Sequence, residues 1–65
     1  MNGTLISWFK HRNYGFIRPE LTEDEIFCHI TDLPNKEPLT KGTRVRFELG
    51  QFGGRRKAIN VGVAS

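Results

Sequence analysis

The sequence predicts an all-β protein, a five-stranded antiparallel barrel of the OB-fold Greek-key type, and three observations support this. Five short segments alternate in two-residue steps, as strands do. No segment of ten or more residues carries a helical period. One long connection separates the third strand from the fourth, and barrel closure would protect the edges that an open sheet leaves unpaired. An SH3-like barrel is the alternative with a similar number of strands.

The first three strands are expected to be successive antiparallel neighbours. Residues 3–9 form an extended apolar segment, residues 10–13 a polar turn and residues 14–19 the second strand. Asn13 tolerates a positive φ, so we expect it in a turn or bulge. A polar loop follows at residues 20–25, and residues 25–30 alternate as the third strand. Four apolar residues of these strands are expected to face the core: Ile17, Ile26, Cys28 and Ile30.

The second half of the chain predicts a long connection and a final hairpin. Residues 31–42 contain two prolines and no helical period, which predicts at most one short helical turn. Residues 43–49 alternate cleanly, with Val45, Phe47 and Leu49 on the predicted core face. A glycine-rich loop at residues 50–54 leads to a fifth strand at residues 55–63. The side chains expected to share one face of that strand are Lys57, Ile59, Val61 and Val63.

Composition restricts the possible functions. A chain of 65 residues predicts one domain over residues 1–65, with little room for an enclosed pocket. Its single cysteine, Cys28, cannot form an internal disulfide, and zinc-binding spacings are missing. Because Cys28 and His29 are adjacent in a strand, they point to opposite faces and cannot readily cooperate in catalysis. We expect no enzyme activity, catalytic residue, metal or cofactor.

The sequence also lacks the features of exported and membrane proteins. It has no stretch resembling a signal peptide, and no apolar run approaches the roughly 18 residues of a membrane span. We therefore expect a cytoplasmic location, no membrane association and no small-molecule substrate. A monomer is the expected state, although the sequence does not exclude a dimer.

On the second and third strands, aromatic residues occupy the face opposite the predicted core face. Tyr14 and Phe16 share one face of the second strand, and Phe27 and His29 share one face of the third. Since the apolar residues between them supply the core face, these four rings are expected to gather on the outer surface. Exposed rings among basic residues suit nucleic acids, which bring bases that stack and phosphates that carry charge.

Charge adds support for a polyanionic ligand. Ten Lys and Arg residues against seven Asp and Glu residues give a net charge of +3. Basic residues flank the aromatic strand and recur at residues 55–57, whereas four acidic residues lie within residues 20–25. This distribution predicts a basic side and one acidic loop, although small basic domains with a mixed surface are common.

Two motifs resemble those of the cold-shock domain family. Residues 12–17, Arg-Asn-Tyr-Gly-Phe-Ile, look like the first ribonucleoprotein motif of that family, and residues 26–30, Ile-Phe-Cys-His-Ile, look like the second. The resemblance covers essentially the whole chain. It implies a five-stranded OB barrel that binds single-stranded RNA or DNA with little sequence preference. Because a strand held with its bases bound to protein cannot remain in a duplex, such binding predicts RNA chaperone activity by mass action.

The resemblance also implies roles for individual residues. Four match the stacking positions of the family: Tyr14, Phe16, Phe27 and His29. Arg12 matches a residue along the nucleic-acid backbone, and we expect Lys10, Lys36 and Arg56 to follow the phosphates as well. In an ungapped alignment from Gly3, Ser7 falls where the family has its stacking tryptophan. Trp8 is therefore expected either to stack on bases or to support the barrel, and a role in binding is favoured.

Departures from the family pattern reduce the number of rings. Ile30 replaces a phenylalanine, Lys36 lies near a position that often carries another aromatic, and Asn13 replaces a glycine. Extra cations are expected to offset part of the lost stacking and to steepen the salt dependence of binding. Phe52, in the last loop, fits contact with a base, contact with a protein, or packing on the barrel rim. The alternative function is a protein-interaction module, and the sequence does not distinguish RNA from DNA.

Overall fold

The computed structural model describes residues 1–64 and contains five β-strands and two short 3₁₀ helices. The strands are β1 Asn2–Phe9, β2 Tyr14–Pro19, β3 Ile26–His29, β4 Arg44–Phe52 and β5 Arg55–Val63. The 3₁₀ helices, Ile30–Asp32 and Pro34–Lys36, lie in the long connection, where the sequence predicted at most one helical turn. Within residues 1–64, no helix has the length and hydropathy needed to cross a membrane.

The strands close into a barrel in the order β1-β2-β3-β5-β4, which confirms the predicted all-β fold. The prediction of uniformly antiparallel pairing needs one correction. β3 and β5 pair in parallel, and their register contains a single partner pair, Phe27 and Lys57. The long connection and β4 lie between them in the chain and supply the crossover that a parallel pair requires. The other four pairings are antiparallel.

The barrel interior is filled mainly by small and branched apolar side chains, together with one phenylalanine. The buried hydrophobic residues are Leu5, Ile17, Ile26, Cys28, Leu33, Val45, Phe47, Ala58 and Val61. This confirms the predicted inward positions of Ile17, Ile26 and Cys28. Ile30 packs against this core but stays partly exposed, because β3 ends at His29 and Ile30 begins the first 3₁₀ helix. The core is complete without Tyr14, Phe16 or Phe27, so these rings are free to serve another purpose.

The predicted face of β5 is wrong because the strand does not alternate throughout. Ala58 and Val61, three residues apart, are both buried, whereas Lys57 and Ile59 remain partly exposed. Between the pairs Glu48–Ile59 and Arg46–Gly62, β5 advances three residues while β4 advances two. Asn60 lies in this interval with a φ of 50°, so one additional residue breaks the two-residue period.

Two predictions for β4 also need correction. Leu49, predicted to lie in the core, is 41% exposed. β4 pairs with β1 only through Arg44–Arg46, so its later residues extend past β1 with β5 as their antiparallel neighbour. The expected five-residue loop is also shorter: the strands continue to Phe52 and resume at Arg55. Gly53 and Gly54 alone form the turn, both with the positive φ of a type I′ hairpin.

Candidate nucleic-acid interface

Five rings from three neighbouring strands gather on the outer face of the barrel, and we call this set the ring platform. Its members are Phe9, Tyr14, Phe16, Phe27 and His29. Adjacent ring centroids lie 5.2 to 6.4 Å apart, and all six adjacent pairs meet edge to face or at a tilt. The platform contains the four rings that the sequence predicted to gather, together with Phe9.

Strand register explains how four of these rings meet. Tyr14 lies opposite His29, and Phe16 lies opposite Phe27, in the antiparallel pairing of β2 with β3. Directly opposite residues project to the same face of a sheet, so the two pairs form adjacent rows. The intervening Gly15, Ile17 and Cys28 are buried on the other face. All four rings remain partly exposed.

A bulge in β1 brings Phe9, rather than Trp8, to the platform. Leu5 lies opposite Ile17, but Ser7 lies opposite Phe16, so Ile6 is the additional residue. Beyond it, Phe9 lies opposite Tyr14 and shares its outward face. Phe9 is 44% exposed, and its ring centroid is 5.4 Å from that of Tyr14. Beyond the aromatic pair itself, no sequence feature indicates this position, because the alternation of β1 does not locate the bulge.

Trp8 lies on the other side of the same strand. It is opposite Gly15, on the inward face, and is partly buried against the core. A methyl group on Gly15 would clash with the Ser7 carbonyl oxygen and lie 2.7 Å from Trp8 Cε3, so this glycine is required for the close approach of β1. Trp8 was expected either to stack on bases or to support the barrel, and its inward position fits support of the barrel wall.

The turn between β1 and β2 holds two of the predicted phosphate contacts at the edge of the platform. Lys10 and Arg12 are exposed in this turn, between Phe9 and Tyr14. The backbone amides of Arg12 and Asn13 donate to the Phe9 carbonyl oxygen at 2.9 and 3.1 Å. Asn13 has a φ of 58°, which confirms the predicted positive φ. The turn is therefore well defined and places its cations beside the first ring.

The orientation of His29 is fixed by the start of the first 3₁₀ helix. The Thr31 amide donates to His29 Nδ1 at 3.2 Å, and the Thr31 hydroxyl lies 3.0 Å from the same nitrogen. Because Nδ1 accepts these bonds, the proton of the neutral ring belongs on Nε2. His29 thus presents a fixed ring face and an N–H group at the end of the platform.

Beyond β3, the same face continues into a concave site that we call the hairpin pocket. Its volume is about 330 Å³, and its lining residues are Phe27, His29, Phe52, Arg55, Arg56 and Lys57. The sequence indicated Arg56 and left Phe52 unassigned. The β4–β5 pairing determines the position of Phe52 at the rim, opposite Arg55.

The cations around this pocket differ in how strongly they are paired. Lys57 Nζ lies 2.8 Å from Asp32 Oδ2, and both side chains are mostly buried. Arg56 lies 3.9 Å from Asp24 of the acidic loop, with both side chains more than half exposed. Lys36 is exposed in the second 3₁₀ helix, which packs beside β5. Screening makes exposed pairs weak, so Arg56 and Lys36 stay available to a polyanion, whereas Lys57 is largely committed to Asp32.

The buried thiol of Cys28 is poorly suited to chemistry. Burial, with a smaller contribution from the Asp32 carboxylate, raises the pKa of Cys28 from 9.0 to about 11, and Lys57 opposes this shift. At neutral pH the side chain is therefore a protonated, buried hydrophobe, as its position in the sequence indicated. Within residues 1–64, no group of three or more His, Cys, Asp or Glu side chains could hold a metal ion.

A closed OB-type barrel with clustered rings and cations on its outer face has the architecture of proteins that bind single-stranded nucleic acids. Comparison with known families agrees with this class. The family model described as "'Cold-shock' DNA-binding domain" matches residues 1–64. The chain belongs to the cold-shock domain family, a family of nucleic-acid-binding proteins.

Individual relatives give the same assignment. The chain is 36% identical over 61 residues to a "Cold shock-like protein" of Aquifex aeolicus, covering 89% of this chain and 87% of the relative. It is 31% identical over 49 residues to a "Cold shock protein" of Arthrobacter globiformis, covering 71% and 73%. The solved structure of "drosophila Unr CSD456" superposes with a TM-score of 0.82 over 98% of this chain. At 23% identity and 26% of that longer chain, this likeness shows the fold alone.

Proposed function

We propose that this protein binds single-stranded RNA or DNA with little sequence specificity by stacking successive bases on the ring platform. The observation that carries the proposal is the gathering of five rings outside a barrel whose core is already filled. Leaving aromatic surface exposed to water costs stability, which a ligand with flat apolar faces would offset. Every base has such a face, so stacking alone gives little sequence preference.

The cations beside the platform would follow the phosphates of the same strand. Lys10 and Arg12 flank the Phe9 end, and Arg56 lines the hairpin pocket at the other end. Lys36, beside β5, would add a further contact. Cations at both ends of the rings suit a strand that crosses the platform from the β1–β2 turn to the β4–β5 hairpin.

Such binding would make the protein an RNA chaperone without any need for ATP. A strand held with its bases on protein rings cannot remain paired with another strand, so binding shifts the equilibrium toward unpaired RNA by mass action. This activity fits the proposed cytoplasmic location and a monomer, and it requires no enzyme chemistry.

The direct test removes two rings and measures affinity. Phe16→Ala with Phe27→Ala removes the central cross-strand pair of the platform, and each ring contributes about 1 to 3 kcal/mol of stacking. The expected loss is about 2 to 6 kcal/mol, or about 30-fold to 10⁴-fold weaker binding of labelled oligothymidine and oligouridine. Circular dichroism should show an intact fold, because neither ring belongs to the core.

A matched control removes two exposed apolar side chains elsewhere. Leu21→Ala with Val63→Ala changes residues that are 102% and 53% exposed and lie outside the platform. This variant should keep the affinity of the wild type. Retained affinity in the Phe16 and Phe27 variant, with the fold intact, would refute stacking on the platform.

The second candidate function is a protein-interaction module, and the 78% exposure of Phe52 favours it. Salt dependence separates the two candidates. Contacts to phosphates should lower log affinity with a slope of about −0.7 per contact against log salt concentration, whereas an apolar protein interface should tolerate salt. If the folded wild-type protein bound neither oligonucleotide, the protein-interaction function would become the leading one.

A further inference from the structure

The hairpin pocket adjoins the ring platform, shares Phe27 and His29 with it, and adds an aromatic wall of its own, Phe52. β5 lies between β3 and β4 in the barrel, so Phe27 and His29 border the pocket from one neighbouring strand and Phe52 borders it from the other. Phe52 is 78% exposed, more than any ring of the platform. Without a ligand, this phenylalanine holds most of its surface in water.

Strand register places the pocket on the same face as the platform. Lys57 lies opposite Phe27 across the β3–β5 pairing, and Phe52 lies opposite Arg55 across the β4–β5 pairing. Arg55 and Lys57 are two residues apart, so they share a face of β5, and the buried Ala58 shows that this is the outer face. A strand leaving Phe27 can therefore enter the pocket without crossing an edge of the barrel.

The charges of the pocket fit one nucleotide. Lys57 is bound to Asp32 at 2.8 Å and also lies 5.8 Å from the centroid of the Phe52 ring, so it is held in place beside that ring. Arg55 is exposed and has no carboxylate within ion-pair distance in residues 1–64. The pocket thus offers a ring for a base and an uncompensated guanidinium for a phosphate. Its volume, about 330 Å³, is at the small end of ligand sites.

We propose that the hairpin pocket binds one further nucleotide of the single strand, with its base stacked on Phe52 and its phosphate contacted by Arg55. This inference rests on the proposed function and deepens it, because it extends the binding path from the platform to the tip of the β4–β5 hairpin. A strand that enters the pocket from the platform must be long enough to cover the platform and continue past Phe27.

The test measures affinity as a function of oligonucleotide length. Oligothymidines of about 4 to about 16 nucleotides cover the range of site sizes known for OB folds. Phe52→Ala should weaken binding of the longer oligonucleotides by about 5- to 150-fold and leave the shortest ones unchanged. Phe52→Leu should lose as much, because leucine keeps the apolar surface but has no ring. Phe16→Ala should weaken binding at every length.

The matched control is Leu49→Ala, which removes an exposed apolar side chain from the same strand. Leu49 lies three residues before Phe52, so it projects to the opposite face and does not line the pocket. Its removal should leave the affinity for every length unchanged. This comparison separates the role of the Phe52 ring from a general effect on the hairpin.

Salt titration tests the phosphate contact independently. Arg55→Gln should reduce the salt slope by about 0.7 for long oligonucleotides and leave it unchanged for short ones. Arg46→Gln, which removes an exposed arginine outside the platform and the pocket, should preserve both slopes.

Three outcomes would overturn the inference. If the wild type binds but Phe52→Ala has no effect at any length, the pocket takes no nucleotide. An equal loss of affinity for Phe52→Ala at every length would show that Phe52 acts on the platform itself. Wild-type affinity in Phe52→Leu would indicate plain apolar contact in place of base stacking. Failure of the wild type to bind any oligonucleotide would instead refute the proposed function.

Discussion

Replacement of Phe9 by alanine should weaken nucleic-acid binding, whereas replacement of Trp8 by phenylalanine should not. Phe9 lies on the outward face after the β1 bulge, in contact with Tyr14 and Phe16, and Trp8 lies on the inward face against Gly15. An alignment that places Trp8 near the stacking position of the family favours the opposite result. The pair of variants therefore tests the bulge as well as the site.

The magnitude follows from the exposure of the ring. A ring that stacks on one base contributes about 1 to 3 kcal/mol, so Phe9→Ala should weaken binding by about 5- to 150-fold. Truncation of a fully buried phenylalanine costs about 3 to 5 kcal/mol of stability, and the 44% exposure of Phe9 reduces this to about 2 kcal/mol. A domain of 65 residues has a free energy of unfolding of about 3 to 10 kcal/mol, so measurement at low temperature keeps the variant folded.

The assay is fluorescence anisotropy of a labelled oligothymidine, with circular dichroism as the check on folding. A second readout places a tryptophan in the platform. In Trp8→Phe with Phe9→Trp, the only indole lies at position 9, and bound bases should quench its fluorescence more strongly than they quench Trp8 in the wild type. If Trp8→Phe weakened binding more than Phe9→Ala, or if Trp8 were the more strongly quenched, the assigned faces of β1 would be wrong.

Three predictions concern the barrel that supports the platform. Asp32→Asn should lower the free energy of unfolding by about 1 to 3 kcal/mol in urea titrations, since it breaks the mostly buried pair with Lys57 where β3 and β5 close the barrel. Glu20→Gln breaks the exposed ion pair with Arg44 and should lower the free energy of unfolding by less than about 1 kcal/mol. Equal losses of stability in the two variants would contradict the expected effect of burial. Because the pKa of Cys28 rises from 9.0 to about 11 on folding, its contribution to stability is complete below pH 9 and falls by about 2 to 3 kcal/mol as the pH rises to 11. Cys28→Ala should lose less stability than the wild type between pH 9 and pH 11. Identical pH profiles of the unfolding free energy would refute the contribution of Cys28. Gly15→Ala should cost about 3 kcal/mol because the clashing atom belongs to the β1 backbone, and an unchanged melting temperature would show that β1 can move away.

The sequence was sufficient to predict those parts of the site that depend on regular alternation. Tyr14 with Phe16, and Phe27 with His29, lie in short strands without bulges, so the two-residue period identifies their common face. The buried Ile17 and Cys28 on the other face exclude the opposite register. These four rings of the platform could therefore be predicted from the sequence alone.

Alternation alone could not predict the positions next to a bulge. Ile6 in β1 and Asn60 in β5 each add a residue to one strand, and each reverses the faces of the residues that follow. Asparagine tolerates the left-handed conformation seen at Asn60, but many asparagines in strands and loops do not adopt it. Ile6 gives no local signal, because its bulge follows from the pairing of β1 with β2.

The contribution of Phe9 and Phe52 changes how the reduced set of family rings is interpreted. The sequence lacks aromatic residues at two positions where the family often carries them, Ile30 and Lys36, and this favoured weak, mainly electrostatic binding. In the structure, Phe9 extends the rings toward the β1–β2 turn, and Phe52 adds an aromatic wall beyond β3. If both rings take bases as we propose, the chain has shifted its stacking sites along the barrel face and has not simply lost them. The lost affinity would then be smaller than the missing family residues suggest, and the bound strand would follow a path displaced toward the two hairpin turns.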